Sequence, residues 1–230
     1  MPASRARAVV LISGAGTNLQ AFIDAIGAGR LNLQIAAVIS NRADAPGLAR
    51  AEQAGIPAVP VRAEAGSSRH TYDAMLDAEI ERHRPDLILL AGFMRILGPD
   101  LVGRHAGRIM NIHPSLLPAY RGLDTHRRVL EAGEPVHGCT VHFVTEELDG
   151  GPLILQARVP VLPGDDVASL SARVQPAEHI IYPRAAGWYA DGRLRLEDGV
   201  ATLDGRPLEA PVIIDARNGT QETCASSPRS

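Results

Sequence analysis

The chain predicts an α/β fold on a mainly parallel sheet, and two observations carry that prediction. Apolar runs alternate with stretches of helical period through the first half, and Gly- and Pro-containing turns separate them. The runs are continuous rather than alternating, as expected of strands covered on both faces.

Residues 8–12 are the first such run. A Gly-rich turn over 13–18 leads into a helix over 19–26, with Leu19, Phe22, Ile23 and Ile26 on one face and Gly27 expected to close it. Residues 34–39 form the second strand. The helix over 46–54 has Pro46 just inside its start and Gly55 past its end. Residues 58–61 form a short strand, and Pro60 assigns it to a sheet edge. A helix with a charged outer side covers 69–83, and a central strand covers 87–91. A short helix over 99–105 and a strand over 108–112 complete the alternation. The pattern then changes. Residues 139–144 and 153–161 read as strands joined by a polar, Gly-rich connection. A long helix over 166–186 opens beside two acids, and 192–203 suits a small hairpin. The expectation is a Rossmann-like, mainly parallel sheet with helices on both faces, whose C-terminal part adds an antiparallel strand and a small hairpin. With no repeat or linker in sight, one domain is expected over 1–213. The polar run from 214 to 230 is expected to be a disordered tail.

Bulk properties narrow the function. The chain has 230 residues, 45% of them hydrophobic, with a net charge of -3, so nothing in its overall charge draws it to nucleic acid or to an acidic membrane. An aromatic content of 3% argues against a base-stacking platform. Two cysteines, Cys139 and Cys224, cannot build a disulfide framework, which fits a reducing cytoplasm. No stretch approaches the ~20 apolar residues of a membrane span.

The richest motif is Asn111-Ile112-His113-Pro114. Alternate residues of a strand share a face, so Asn111 and His113 project together at a strand end where Pro114 stops the run. Open α/β sheets bind ligands at such ends. An amide donor beside an imidazole suits a carbonyl that develops negative charge, which points to acyl or formyl transfer. The competing reading is a capped strand end with a satisfied histidine. Asp149, in Leu148-Asp149-Gly150-Gly151-Pro152, is either ordinary turn chemistry or a carboxylate that faces His113 and favours its charged form. Its neighbours Glu146 and Glu147 read as solvated. Gly14-Ala15-Gly16-Thr17-Asn18 lies between strand and helix, where small residues admit an anion to free N–H groups. It serves equally well as a phosphate cradle or as a tight turn with an Asn cap. It lacks the third glycine of a dinucleotide fingerprint and the Gly-Lys-Ser/Thr ending of a P-loop. After Gly92, the residues Phe93, Met94, Ile96 and Leu97 suit an apolar pocket for a flat ring, or a loop packed on the core. No metal-ligand spacing appears among the eight histidines, and no Gly-x-Ser-x-Gly elbow is present.

These segments, with His142-Phe143-Val144, resemble the folate-dependent phosphoribosylglycinamide formyltransferases, from about residue 9 to residue 203. The Asn-x-His-Pro-Ser-Leu-Leu-Pro and Asp-Gly-Gly segments are shared by the wider formyltransferase superfamily. The resemblance implies formyl transfer from 10-formyltetrahydrofolate, as co-substrate and without a metal, to the amine of 5-phosphoribosylglycinamide (GAR) in purine biosynthesis. It implies Asn111, His113 and Asp149 as the catalytic set. Gly16, Thr17 and Asn18 would cradle the GAR phosphate, and Glu178 would hold its amine-bearing end. Arg69, Met94, Arg95, Ile96 and Leu97, with Asn111 and with Thr145, Glu146, Glu147, Leu148 and Asp149, would contact the folate. The chain departs from the family's usual residues at Ala15, Arg121, Asp124, Pro176 and Ala177. The expected protein is a cytoplasmic monomer or homodimer with small-molecule partners only, binding neither nucleic acid nor membrane.

Two alternatives remain. A formyltetrahydrofolate hydrolase would carry an additional N-terminal regulatory domain, and with a first strand by Ala8 none is expected. A non-catalytic dinucleotide-binding module would use the Gly-rich turn and Arg42.

Overall fold

The computed structural model describes residues 5–63, 66–215 and 222–223. The first half alternates as expected: β1 (Ala6–Ile12), α1 (Thr17–Gly27), β2 (Leu33–Ser40), α2 (Pro46–Gln53), β3 (Ala58–Pro60), α3 (Arg69–Arg82), β4 (Leu87–Leu90), α4 (Pro99–Arg104) and β5 (Ile109–His113). The second half comprises α5 (Thr125–Glu131), β6 (Val136–Phe143), β7 (Leu153–Pro160), α6 (Val167–Ala190), β8 (Leu194–Glu197), β9 (Val200–Leu203), β10 (Arg206–Pro207), β11 (Val212–Asp215) and β12 (Glu222–Thr223).

Among the described residues the main sheet has the order β12-β11-β7-β6-β5-β4-β1-β2-β3, and β8, β9 and β10 form a small separate sheet. β1 to β5 run parallel, and β6 is antiparallel to both of its neighbours. β3 lies at the edge, where the missing N–H of Pro60 disturbs no ladder. The direction of strand succession reverses between β1 and β4, so a crevice opens at their carboxyl ends.

The continuous apolar strands have the cause inferred from the sequence. In β1, Ala8, Val10 and Ile12 face a core closed by α1, α2 and α6, while Val9 and Leu11 face a second core under α3 and α4. In β5, Met110 and Ile112 belong to the first core and Ile109 to the second. Asn111 and His113 therefore emerge on the α3–α4 side, where the sheet continues past its apolar cover.

α6 is the chief support of the site. Asp166 caps it, accepting from the Ser169 backbone N–H at 2.8 Å, and Ser169 returns a bond to the Asp166 N–H. The buried Tyr182 hydroxyl lies 3.1 Å from the Leu90 carbonyl and 2.9 Å from that of Met110, at the adjoining strands β4 and β5. Its ring also packs edge-on against Phe22 of α1, with centroids 4.9 Å apart.

Three local expectations need correction. Gly27 lies inside α1, and the left-handed closing residue is Gly29, whose N–H reaches the Ile26 carbonyl. α5 was not foreseen. The expected tail starts too early, because Ile214 is buried and pairs with Ala157 in a parallel ladder with β7. The remainder of the expected tail, apart from Glu222–Thr223, lies outside the described residues, as does Cys224.

Candidate active site

Asn111 and His113 meet two partners from the second half of the chain. The antiparallel register sets Asn111 opposite His142 and His113 opposite Thr140. One amide hydrogen of Asn111 goes to His142 Nε2 at 3.2 Å, while His142 Nδ1 donates to the Phe143 carbonyl at 2.8 Å. That second bond defines the tautomer, with Nε2 as the acceptor. Burial holds the His142 imidazolium off, to a pKa of about 4.

The loop after β6 brings Asp149 back over β5. Its carboxylate lies 3.5 Å from His113 Nδ1 and 3.8 Å from His142 Nε2. It also accepts the Gly122 N–H at 2.9 Å, and its left-handed backbone (φ 49°) aims it inward. Gly151 makes this return possible, since a Cβ there would lie 1.9 Å from the Phe143 carbonyl oxygen. The other nitrogen of His113, Nε2, donates to the Tyr120 carbonyl at 3.0 Å.

These groups line a cleft of about 920 Å³. Met94, Arg95, Ile96 and Leu97 form one wall, and Thr145, Glu146, Glu147 and Leu148 form the other. Its rim is apolar and exposed: Met94, Ile96, Leu123, Leu148 and Val167 are among the large hydrophobic side chains left in solvent. Clustered exposure of this kind marks a binding surface. Glu147 is solvated as expected and also pairs at the surface with Arg121, which ties the cleft's two loops together.

Arg69 is not on the wall. It donates to the Leu97 carbonyl and lies 3.7 Å from Asp73, so it ties the end of the 93–97 loop to α3. Gly16, Thr17, Asn18 and Glu178 form a separate group beside the cleft. Gly16 is the left-handed N-cap of α1 (φ 70°), and no side chain caps that helix. The Asn cap of the alternative reading is therefore absent. Asn18 instead donates to Glu178 Oε2 at 2.8 Å. Glu178 lies one helical turn before the anchored Tyr182, and burial raises its pKa above the usual carboxylate range despite the Asn18 bond.

A formyl transferase profile matches residues 6–186. Phosphoribosylglycinamide formyltransferase of Escherichia coli is 56% identical over 87% of this chain and 94% of its own length. The chain belongs to the phosphoribosylglycinamide formyltransferase family. A solved family structure from Coxiella burnetii superposes with a TM-score of 0.85 at 53% identity, covering 89% of this chain and 96% of its own. A formyltetrahydrofolate deformylase from Pseudomonas syringae shares the fold more distantly: its TM-score is 0.81 at 27% identity, over 87% of this chain and 66% of that one.

In this formyltransferase the sequence reading missed His142 as the partner of Asn111, because the partnership is set by the antiparallel register of β5 with β6, 31 residues away along the chain, which leaves no local spacing. It also missed the pair His126 and His137, whose rings approach to 2.9 Å between Nδ1 and Nε2. Burial depresses both, His137 to about 4. Their separation, 11 residues apart on α5 and β6, leaves no spacing signal. Cys139 is fully buried, and burial pushes its thiol pKa well up, so it is a packing residue. Arg42 is engaged at the surface with Asp44 at 2.8 Å. Among the described residues no group of three or more His, Cys, Asp or Glu is placed to hold a metal ion. No described helix is long and apolar enough to cross a membrane.

Proposed function

We propose that the chain transfers the formyl group of 10-formyltetrahydrofolate to the amine of 5-phosphoribosylglycinamide. The observation that carries the proposal is the meeting of Asn111, His113 and Asp149 at one end of an apolar-rimmed cleft, with His113 and Asp149 3.5 Å apart. The pterin lies against the 93–97 wall and the 145–149 loop. The GAR phosphate sits on the uncapped start of α1, where Gly16, Thr17 and Asn18 present N–H groups. Glu178 accepts a hydrogen bond from the other end of GAR.

The amine nitrogen attacks the formyl carbon to give a tetrahedral oxyanion. Asn111 has one amide hydrogen on His142 and gives the other to that oxygen. His113 exchanges the Tyr120 carbonyl for the same oxygen, while Asp149 holds the opposite side of its ring. The bond from the formyl carbon to N10 then breaks. The amine proton is lost, and N10 takes one in return, which balances the transfer without a covalent enzyme intermediate. Holding the reactants on neighbouring sites that meet at Asn111 and His113 replaces a bimolecular encounter with a local one. The reading carries with it a cytoplasmic enzyme, monomeric or homodimeric, with small-molecule partners.

The test is purified protein with 10-formyl-5,8-dideazafolate as donor, with GAR present or omitted. Deformylation that requires GAR and yields formyl-GAR is expected. Equal deformylation without GAR would replace the transferase with a hydrolase.

A further inference from the structure

Ser13, the residue after β1, makes hydrogen bonds to two other loops. Its backbone N–H donates to the Gly92 carbonyl at 3.1 Å. Its hydroxyl accepts the Met94 N–H at 2.8 Å and donates to Asn41 Oδ1 at 2.6 Å. Gly92 and Met94 belong to the cleft wall after β4, Asn41 follows β2, and Gly14 to Asn18 follow Ser13 directly. Ser13 is buried, so water does not compete for these bonds. It sits across the crevice between β1 and β4, where strand succession reverses. A single hydroxyl thus joins the loop proposed for phosphate to the loop proposed for the pterin.

We infer that Ser13 is a positioning residue that couples the two substrate sites, an inference that rests on the function proposed above. Ordering the Gly14–Asn18 turn around a phosphate fixes Ser13, and Ser13 fixes Met94 and the wall beyond it. By linkage, GAR then raises affinity for the folate by the same factor that the folate raises affinity for GAR. Asn41 supports the clasp by orienting the hydroxyl so that its lone pair faces Met94.

The experiment measures Kd for GAR and for 5,8-dideazafolate, which carries no formyl group, each with and without the other. It is run on the wild type, Ser13→Ala and Asn41→Ala, together with kcat, Tm and hydrogen exchange over 92–97. The wild type is expected to show mutual tightening. Ser13→Ala should abolish it, raise folate KM on the order of tenfold as a buried N–H loses its partner, and speed exchange over 92–97. Asn41→Ala should weaken the mutual tightening without abolishing it. Unchanged tightening and exchange in Ser13→Ala, beside a wild type that forms formyl-GAR, overturns the clasp alone. Equal loss of tightening from a buried substitution outside the loops, such as Val174→Ala, reduces Ser13 to a structural residue and also overturns it. If the wild type forms no formyl-GAR, the functional reading fails. The coupling of the two substrate sites falls with it, whatever exchange over 92–97 shows.

Discussion

The Asn111 amide donates to His142 Nε2 at 3.2 Å, so a side chain proposed to meet the oxyanion is itself held by a buried, neutral imidazole. Removing that acceptor while keeping the apolar volume, as in His142→Leu, should lower kcat on the order of tenfold, the worth of one buried hydrogen bond. Substrate KM should change little. His142→Gln offers a replacement acceptor and should recover most of the loss. Identical kcat in the Leu and wild-type enzymes would show that the amide needs no such support.

The oxyanion set itself carries a larger expectation. Asn111→Ala and His113→Ala should each lose about a hundredfold or more in kcat, with substrate binding largely kept. Asp149→Asn should resemble His113→Ala, because the 3.5 Å contact is what orients the ring. Steady-state kinetics on the three variants checks this, and near-normal turnover in any of them would remove that residue from the mechanism.

Glu178 offers a separation of stability from binding. Its carboxylate is partly buried, and that burial raises its pKa, so the charge opposes folding. Glu178→Gln keeps an acceptor for Asn18 and deletes the charge. Thermal stability should hold or rise while KM for GAR increases on the order of tenfold or more, as expected for a lost charge-assisted contact. Folate KM should stay put. A variant with wild-type GAR affinity would move the GAR site elsewhere.

Gly16 is the conformational weak point of the phosphate loop. At φ 70° an alanine costs roughly 1–2 kcal/mol, and its Cβ would lie 2.8 Å from the Gly47 Cα. Gly16→Ala should therefore destabilise the protein and weaken GAR binding together, as read by denaturant midpoint and calorimetry. Normal GAR affinity in a folded Gly16→Ala protein would count against the cradle.

Acid stability follows from two buried histidines. His137 and His142 have folded-state pKa values near 4, against 6.5 for the free side chain. Between those values the unfolded chain binds more protons, so stability falls as pH drops. The contribution is complete above pH 6.5 and lost progressively down to about pH 4. At about 1.4 kcal/mol per unit the two rings together account for a loss of several kcal/mol. His137→Gln should partly flatten urea midpoints over that range, and an unchanged slope would remove His137 from the acid sensitivity.

Along-chain periodicity made much of this molecule legible. The continuous run in β1 announced a strand covered on both faces, and Pro46 and Gly55 bracketed α2 correctly. Pro60 marked the sheet edge. The two-residue spacing of Asn111 and His113 put them on one face because strand geometry requires it. Short or charged elements such as α5 and β11 carried too little pattern to be seen.

The chain's own order thus determined which residue types lie at which strand ends, since those relations reach only a few residues. The tertiary structure alone decided that His142 supports Asn111, that Asp149 turns onto His113, that Arg69 bonds the Leu97 carbonyl and that Ser13 spans the crevice. Each of these joins segments far apart in the chain. Such pairings are set by strand register, loop closure and the packing of α6, none of which has a local spacing to betray it.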